Sequence, residues 1–251
     1  MQLSNKIAII TGGGSGIGAA TCLAFGAAGA NVVVAGRTLS KVQTVADQVQ
    51  AAGGKALAVA VDVSQGADVR RLIATTVEHF GGLDILFNNA GISPSGRITE
   101  ISEEEWDECI AIDLRSVFIG AKYAIPALQK RGGGVILNTA GTLGIRPCRN
   151  KAAYAAAKAG VINLSRAIAL DYAPDQIRCN VICPGFVETP LTAGFAGSAR
   201  AEFLTGYQPL PGLIQADEVA TLAVYLAADA ARMITGQSFV IDGGQQAGIN
   251  Q

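Results

Sequence analysis

Lys6-Ile7-Ala8-Ile9-Ile10-Thr11-Gly12-Gly13-Gly14-Ser15-Gly16-Ile17-Gly18 is followed by an Ala-rich apolar run that stops at Gly29. Lys6–Ile10 is a short run of β-forming residues, and Ile17–Ala28 reads as a helix ended by Gly29. Between them lies a turn almost without side chains. A strand, a Gly-rich turn and a helix in this order form the opening of a βαβ unit. Its backbone can approach a pyrophosphate, and the helix N-terminus offers free amides and the positive end of a dipole. Gly14-x-Gly16-x-x-Ala19 fits the general dinucleotide fingerprint in the position where that pattern carries meaning.

The same alternation continues outward to the end of the chain. Asn31–Ala35 is a strand, and Ser40 caps a helix to about Ala52, closed by Gly53-Gly54. Lys55–Val63 is a strand, Asp68–Phe80 a helix and Leu83–Asn88 a strand. Ser102 and Glu105 form a capping box that starts one long helix to Gln129, with Pro126 near its end. Val135–Thr139, Ala152–Ala173, Gln176–Cys183, Ala216–Ala228 and Ser238–Asp242 complete the series. The strands are continuous apolar runs, as expected when both faces are buried. The expected fold is α/β: one doubly wound Rossmann-type domain over residues 1–251. It would have a seven-stranded, mainly parallel sheet with helices on both faces. The irregular stretch 186–215 follows the carboxyl end of a strand and is expected to be a substrate lid, walled by Leu191, Phe195, Phe203, Leu204 and Tyr207.

Composition removes several classes of function. With 19 basic and 20 acidic residues the net charge is −1, so the basic surplus of a sequence-independent nucleic-acid binder is missing. Half the residues are hydrophobic, which suits a packed core and not a disordered chain. No apolar run approaches the roughly 18 residues of a membrane span, and no signal peptide is read at the N-terminus. The five cysteines form no CxxC pair and are read as reduced core thiols in a cytoplasmic protein. The single histidine, His79, is read as a cation at the end of a helix, so neither a metal site nor a Ser-His-Asp triad is expected.

Two further features carry chemistry. The second strand ends Ala35-Gly36-Arg37; the acid that would hold an NAD ribose is missing, and Arg37 suits the 2′-phosphate of NADP. Tyr154 and Lys158 are four apart on an Ala-rich helix and so share a face. An adjacent ammonium favours a phenolate and is expected to lower the tyrosine pKa, making the phenol useful as an acid–base group.

Taken together, these pieces resemble the short-chain dehydrogenase/reductase family over essentially the whole chain. Thr11–Gly18 is similar to its T-G-x-x-x-G-x-G loop, Asn88-Asn89-Ala90-Gly91 to its N-N-A-G, and Tyr154–Lys158 to its Y-x-x-x-K. Pro184-Gly185 with Thr189 resembles its P-G-x-x-x-T, and Asp242-Gly243-Gly244 its terminal D-G-G. The resemblance implies an oxidoreductase using NADP, with NAD as the alternative, on a small alcohol or ketone, assembled as a homotetramer. It implies that Gly12, Ser15, Gly16, Ile17 and Gly18 hold the pyrophosphate, and that Asp62 and Val63 flank the adenine. Asn89, Ala90 and Gly91 would line the ribose, and Pro184, Gly185, Val187 and Thr189 would face the nicotinamide. Tyr154 would be the acid–base residue, with Lys158 as its electrostatic partner and a ribose ligand.

The chain departs from that pattern at two positions. Thirteen residues before Tyr154, where the family has its catalytic serine, stands Gly141; Thr142 and Thr139 are the neighbouring hydroxyls. Where the family has an asparagine, Asp113 stands, and its charge is expected to raise the pKa of Lys158. Catalytic roles are accordingly expected for Tyr154, Lys158, Asp113 and Thr142. Two other readings keep the same scaffold: acid–base chemistry without redox (elimination, isomerisation or carbon–carbon cleavage), and a weakly active nucleotide-binding protein.

Overall fold

The computed structural model describes residues 1–192 and 208–248. The strands are β1 (Ile7–Thr11), β2 (Asn31–Gly36), β3 (Lys55–Ala60), β4 (Ile85–Asn88), β5 (Gly134–Thr139), β6 (Ile177–Pro184) and β7 (Ser238–Ile241). They form one seven-stranded sheet in the order β3-β2-β1-β4-β5-β6-β7, and every pairing is parallel. The connecting helices are α1 (Gly16–Ala27), α2 (Leu39–Ala51), α3 (Gly66–Phe80), α4 (Glu103–Ile110), α5 (Ser116–Lys130), α6 (Ala152–Tyr172) and α7 (Ala216–Ala227).

Strand register explains why the apolar runs are continuous. Ile10, Val34, Phe87 and Leu137 point to one face of the sheet and pack with Cys22 and Phe25 of α1, Val42 and Val45 of α2, and Val219 of α7. Their sequence neighbours Ile9, Val33, Leu86 and Ile136 point to the other face, against Leu72 of α3, Leu128 of α5 and Ile168 of α6. Each fully buried Ile or Phe contributes about 1.5–3 kcal/mol of transfer free energy, so both layers are held by the same strands. The order reverses between β1 and β4, which opens a crevice above the strands' carboxyl ends, the place where ligands bind in sheets of this type.

Several expectations change at their edges. The helix expected to start at a Ser40 cap begins at Leu39, after Thr38. β3 stops at Ala60 because β2, its sheet partner, ends at Gly36, whose carbonyl accepts the last bond from Val61 N–H. The capping box is present, with Ser102 Oγ accepting from Glu105 N–H at 3.1 Å and Glu105 accepting from Ser102 N–H at 2.9 Å. The helix it starts is not a single α-helix, because Ala111–Arg115 widens to a π-helical turn between α4 and α5. Cys148 is exposed, unlike the other four cysteines, which lie in the core. His79 sits in the last turn of α3, as expected, and is remote from the crevice. Of the expected lid, Phe195, Phe203, Leu204 and Tyr207 lie outside the described residues. Its two ends are joined to each other, with Glu188 N–H donating to Ile214 O at 2.8 Å and Ile214 N–H to Phe186 O at 3.2 Å. No helix among the described residues is long and apolar enough to cross a membrane.

Candidate active site

The crevice is a cleft of about 680 Å³ running from the Gly-rich turn, past the ends of β2, β4, β5 and β6, to the start of α6. It brings together Gly12, Ser15, Gly16, Ile17, Arg37, Asp62, Val63, Asn89, Ala90, Gly91, Asp113, Thr142, Tyr154, Lys158, Pro184, Gly185, Val187 and Thr189. Gly18 alone among the expected residues is not on its surface. It lies beneath, where a Cβ would stand 2.2 Å from Gly12 O; only glycine lets α1 approach the turn after β1 so closely. Ser15 makes no side-chain cap to α1, so the first-turn amides of that helix are left facing the cleft.

The strand ends are tied to one another by short polar bonds. Thr11 Oγ1 accepts from Asn89 N–H at 2.9 Å and Ala90 N–H at 3.1 Å, joining the tips of β1 and β4. Asn89 Oδ1 accepts from the Thr139 hydroxyl at 3.1 Å, which commits that hydroxyl to the loop and away from the Tyr154 phenol. Behind them, Asn88 Nδ2 donates to Asn138 Oδ1 at 2.8 Å, and Asn138 Nδ2 donates to Ser165 Oγ at 2.8 Å, all three buried. This chain fixes β4, β5 and α6 relative to each other, since a fully satisfied buried network has one good geometry. Asp62 accepts from Ser64 N–H at 2.9 Å and Ser64 Oγ at 2.8 Å, shaping the turn after β3.

At the far end stand three ionisable groups in a row. Lys158, 3% exposed, places Nζ 3.1 Å from Asp113 Oδ2 and donates to Thr139 O at 3.0 Å. Asp113, in the π-helical turn, is 0% exposed, and its Oδ1 accepts from Ile92 N–H at 2.8 Å. The Oδ2 contact is an ion pair off the hydrogen-bond axis, and that oxygen has no other partner among the described residues. Tyr154 is half-buried, with Lys158 Nζ 5.5 Å from its ring centre and its hydroxyl 3.4 Å from Ala140 O.

Burial and neighbouring charge set the protonation of the row. Burial works to lower Lys158, but the Asp113 carboxylate and Tyr154 outweigh it, and the lysine is held above its ordinary range. Burial raises Asp113 by more than the ammonium lowers it. The expected depression of the tyrosine pKa is not found: burial pushes Tyr154 up, Lys158 offsets only part of this, and the Asp113 charge adds to the push. An aspartate in this place therefore opposes phenolate formation.

Gly141 has φ +140° and ψ 158°, a backbone that a serine would adopt only under strain. A Cβ there would point at the phenol, 3.3 Å from Tyr154 Oη, so this is the place beside that phenol where a side-chain hydroxyl could have been carried. Thr142 is buried in the next 3₁₀ turn and shares the cleft wall, with no hydrogen bond to Tyr154 among the described residues. Several lining residues were not anticipated from the sequence, three polar ones among them. Lys41 and Thr38 stand beside Arg37, and Lys151 donates to Ser93 O at 2.9 Å, Ser93 Oγ at 2.8 Å and Pro94 O at 3.1 Å. A lysine four residues after Arg37 on a helix start was the signal for the first.

Comparison with known proteins agrees with this geometry. A family model described as enoyl-(acyl carrier protein) reductase matches residues 12–246. Cyclohexanol dehydrogenase of Acinetobacter sp. (strain SE19) is 39% identical over 243 residues, 96% of this chain and 95% of that one. A short-chain type dehydrogenase/reductase from Mycobacterium marinum superposes with a TM-score of 0.94 at 35% identity, covering 98% of each chain. A structure from Beutenbergia cavernae, provisionally assigned as an NAD(P)-dependent gluconate 5-dehydrogenase and holding NADP at low occupancy, gives 0.94 at 34% identity, covering 98% of this chain and 99% of that chain. With the cleft, the Gly-rich turn and the Tyr154–Lys158 pair in place, the chain belongs to the short-chain dehydrogenase/reductase family.

Proposed function

We propose that this chain is an NADP-dependent dehydrogenase of small secondary alcohols, working in reverse as a ketone reductase. The observation that carries the reading is the row Asp113–Lys158–Tyr154, which opens its phenol into a cleft that begins at a helix N-terminus. The residues fit a dinucleotide. The uncapped first turn of α1 would hold the pyrophosphate, Asp62 and Val63 the adenine, Asn89–Gly91 and Lys158 the ribose, and Pro184, Gly185, Val187 and Thr189 the nicotinamide. When bound, that group supplies the acceptor or donor of a hydride at the substrate carbon. The chain's own residues do the rest. Tyr154 Oη takes the proton from an alcohol, or gives it to a ketone, while Lys158 compensates the charge that develops on the phenol. Asp113 holds Lys158 protonated and in place, and Thr142 lines the substrate side. Segment 186–215 serves as the lid, supported by Leu191 and Thr192 on the cleft wall. Exposed Phe118 on α5, Leu170 on α6 and Val240 on β7 support assembly as a homotetramer, and the reduced cysteines a cytoplasmic setting.

The cofactor choice rests on Arg37 and Lys41, two cations at the mouth beyond Gly36; Asp62, the acid that also lines this end, is engaged by the Ser64 N–H and hydroxyl. NADP(H) is expected to bind more tightly than NAD(H) in calorimetric titration. Arg37→Ala should weaken NADP by about tenfold, the low end for a charged hydrogen bond because the site is exposed, and leave NAD unchanged. Equal affinity for both cofactors in the wild type would refute this choice.

The pH dependence should follow the same electrostatics. Alcohol oxidation needs the phenolate, so kcat/KM should rise with pH through the tyrosine's titration. Burial sets most of that raised value, and Asp113 adds to it. Asp113→Asn keeps an acceptor for Ile92 N–H while removing the charge, and should move the rising limb to lower pH. A limb that stays in place or moves up would show that Asp113 does not act on Tyr154.

A further inference from the structure

We infer that the preferred substrates are vicinal diols and, in reverse, α-hydroxyketones, whose second hydroxyl occupies the space beside Tyr154 that Gly141 leaves open. The inference rests on the dehydrogenase reading above and specifies its substrate class.

The space is defined by what a side chain at 141 would meet. Apart from the two chain neighbours, its Cβ would touch, among the described residues, only Tyr154 Oη at 3.3 Å and Pro184 O at 3.8 Å. Ala140 O lies on the same side, 3.4 Å from the phenol oxygen. The opening therefore adjoins the proton-transferring oxygen and is bordered by carbonyl acceptors. Ala140 O already accepts a long bond from the Tyr154 hydroxyl, Thr139 gives its proton to Asn89, and no side-chain donor among the described residues reaches Pro184 O, which leaves that carbonyl to call for a donor.

A hydroxyl on the carbon next to the carbinol meets that need. When the two oxygens of a vicinal diol are gauche, they lie about as far apart as the 2.7–2.8 Å of an O–H···O hydrogen bond. The second oxygen then sits where a side-chain hydroxyl would otherwise support the first. It donates toward Pro184 O or to the developing carbonyl oxygen. The positive φ at 141 keeps the space open, because any side chain that filled it would strain the backbone. The reaction balances as an ordinary dehydrogenation: the carbinol C–H leaves with its electron pair to oxidised nicotinamide, the O–H proton goes to Tyr154, and the C=O bond forms. The neighbouring C–OH is unchanged.

The test compares cyclohexane-1,2-diol with cyclohexanol and butane-2,3-diol with butan-2-ol on the wild-type enzyme with NADP. The diol of at least one pair should have kcat/KM at least about tenfold higher, one hydrogen bond's worth. With reduced cofactor bound, where neither alcohol can react, calorimetry should show the same diol binding at least about tenfold more tightly. Gly141→Ala, checked for folding by its melting curve, should reduce the diol's advantage, whereas Thr142→Val should leave it intact. Equal efficiency and equal affinity within both pairs would overturn the inference while leaving the dehydrogenase reading standing. That is the outcome if water fills the space. A preference lost in Thr142→Val would also overturn it, by assigning the donor to the protein. Cofactor reduction with none of the four alcohols, together with no diol preference in binding, would count against both.

Discussion

Tyr154→Phe is expected to lower kcat by about 10²–10⁴-fold, the range of a positioned acid–base group, while cofactor affinity stays nearly unchanged. The substitution removes one oxygen. Among the described residues that oxygen makes a single hydrogen bond, a long one of 3.4 Å donated to Ala140 O. The ring keeps its place against Lys158 Nζ, 5.5 Å away. Stability should therefore change little, and steady-state kinetics beside a cofactor titration separates chemistry from binding. Activity within tenfold of the wild type would exclude phenol-based catalysis.

Lys158→Ala should fail more broadly. Its ammonium is buried between Asp113 Oδ2, Thr139 O and the Tyr154 ring, so its loss leaves a carboxylate with no cation inside the protein. Breaking one partner of a buried pair costs about 3–5 kcal/mol. Chemical denaturation at neutral pH should show a loss of that size, together with weaker cofactor binding and a collapse of kcat. The stability deficit should narrow as pH falls. Burial already raises Asp113 above the usual carboxylate range. Without Lys158 its folded-state pKa rises further, and protonation then favours the folded form. A variant as stable as the wild type at neutral pH would mean that the pair carries little of the site's architecture.

The sheet was legible because parallel strands buried on both faces leave continuous apolar runs, as in Asn31–Gly36 and Gly134–Thr139. The Gly-rich turn between β1 and α1 was legible for a related reason, since such a turn has few other uses, and it lines the cleft. The π-helical turn at Ala111–Arg115 was not. One extra residue per turn leaves the apolar face of a long helix almost unbroken in sequence, yet this turn carries Asp113, which meets Lys158. The net direction of the Tyr154 shift was also hidden, because four-residue spacing to Lys158 reveals the attractive charge and not the burial that outweighs it. The buried chain Asn88–Asn138–Ser165 joins residues far apart in sequence, and no local pattern announces it. Gly141 is an intermediate case: its identity hinted at an unusual backbone, and only the structure shows the positive φ and the closeness to Tyr154.

The central claim is that the hydrogen on the substrate carbon leaves as a hydride and not as a proton. The most direct measurement uses a secondary alcohol deuterated at the carbinol carbon, incubated with the enzyme and NADP, with the products read by mass spectrometry and NMR. The account predicts deuterium on the reduced nicotinamide and none released from that carbon to solvent. Deuterium appearing in water, with the cofactor unreduced and the substrate isomerised, dehydrated or cleaved, would contradict it and assign the Tyr154–Lys158 pair to non-redox acid–base chemistry.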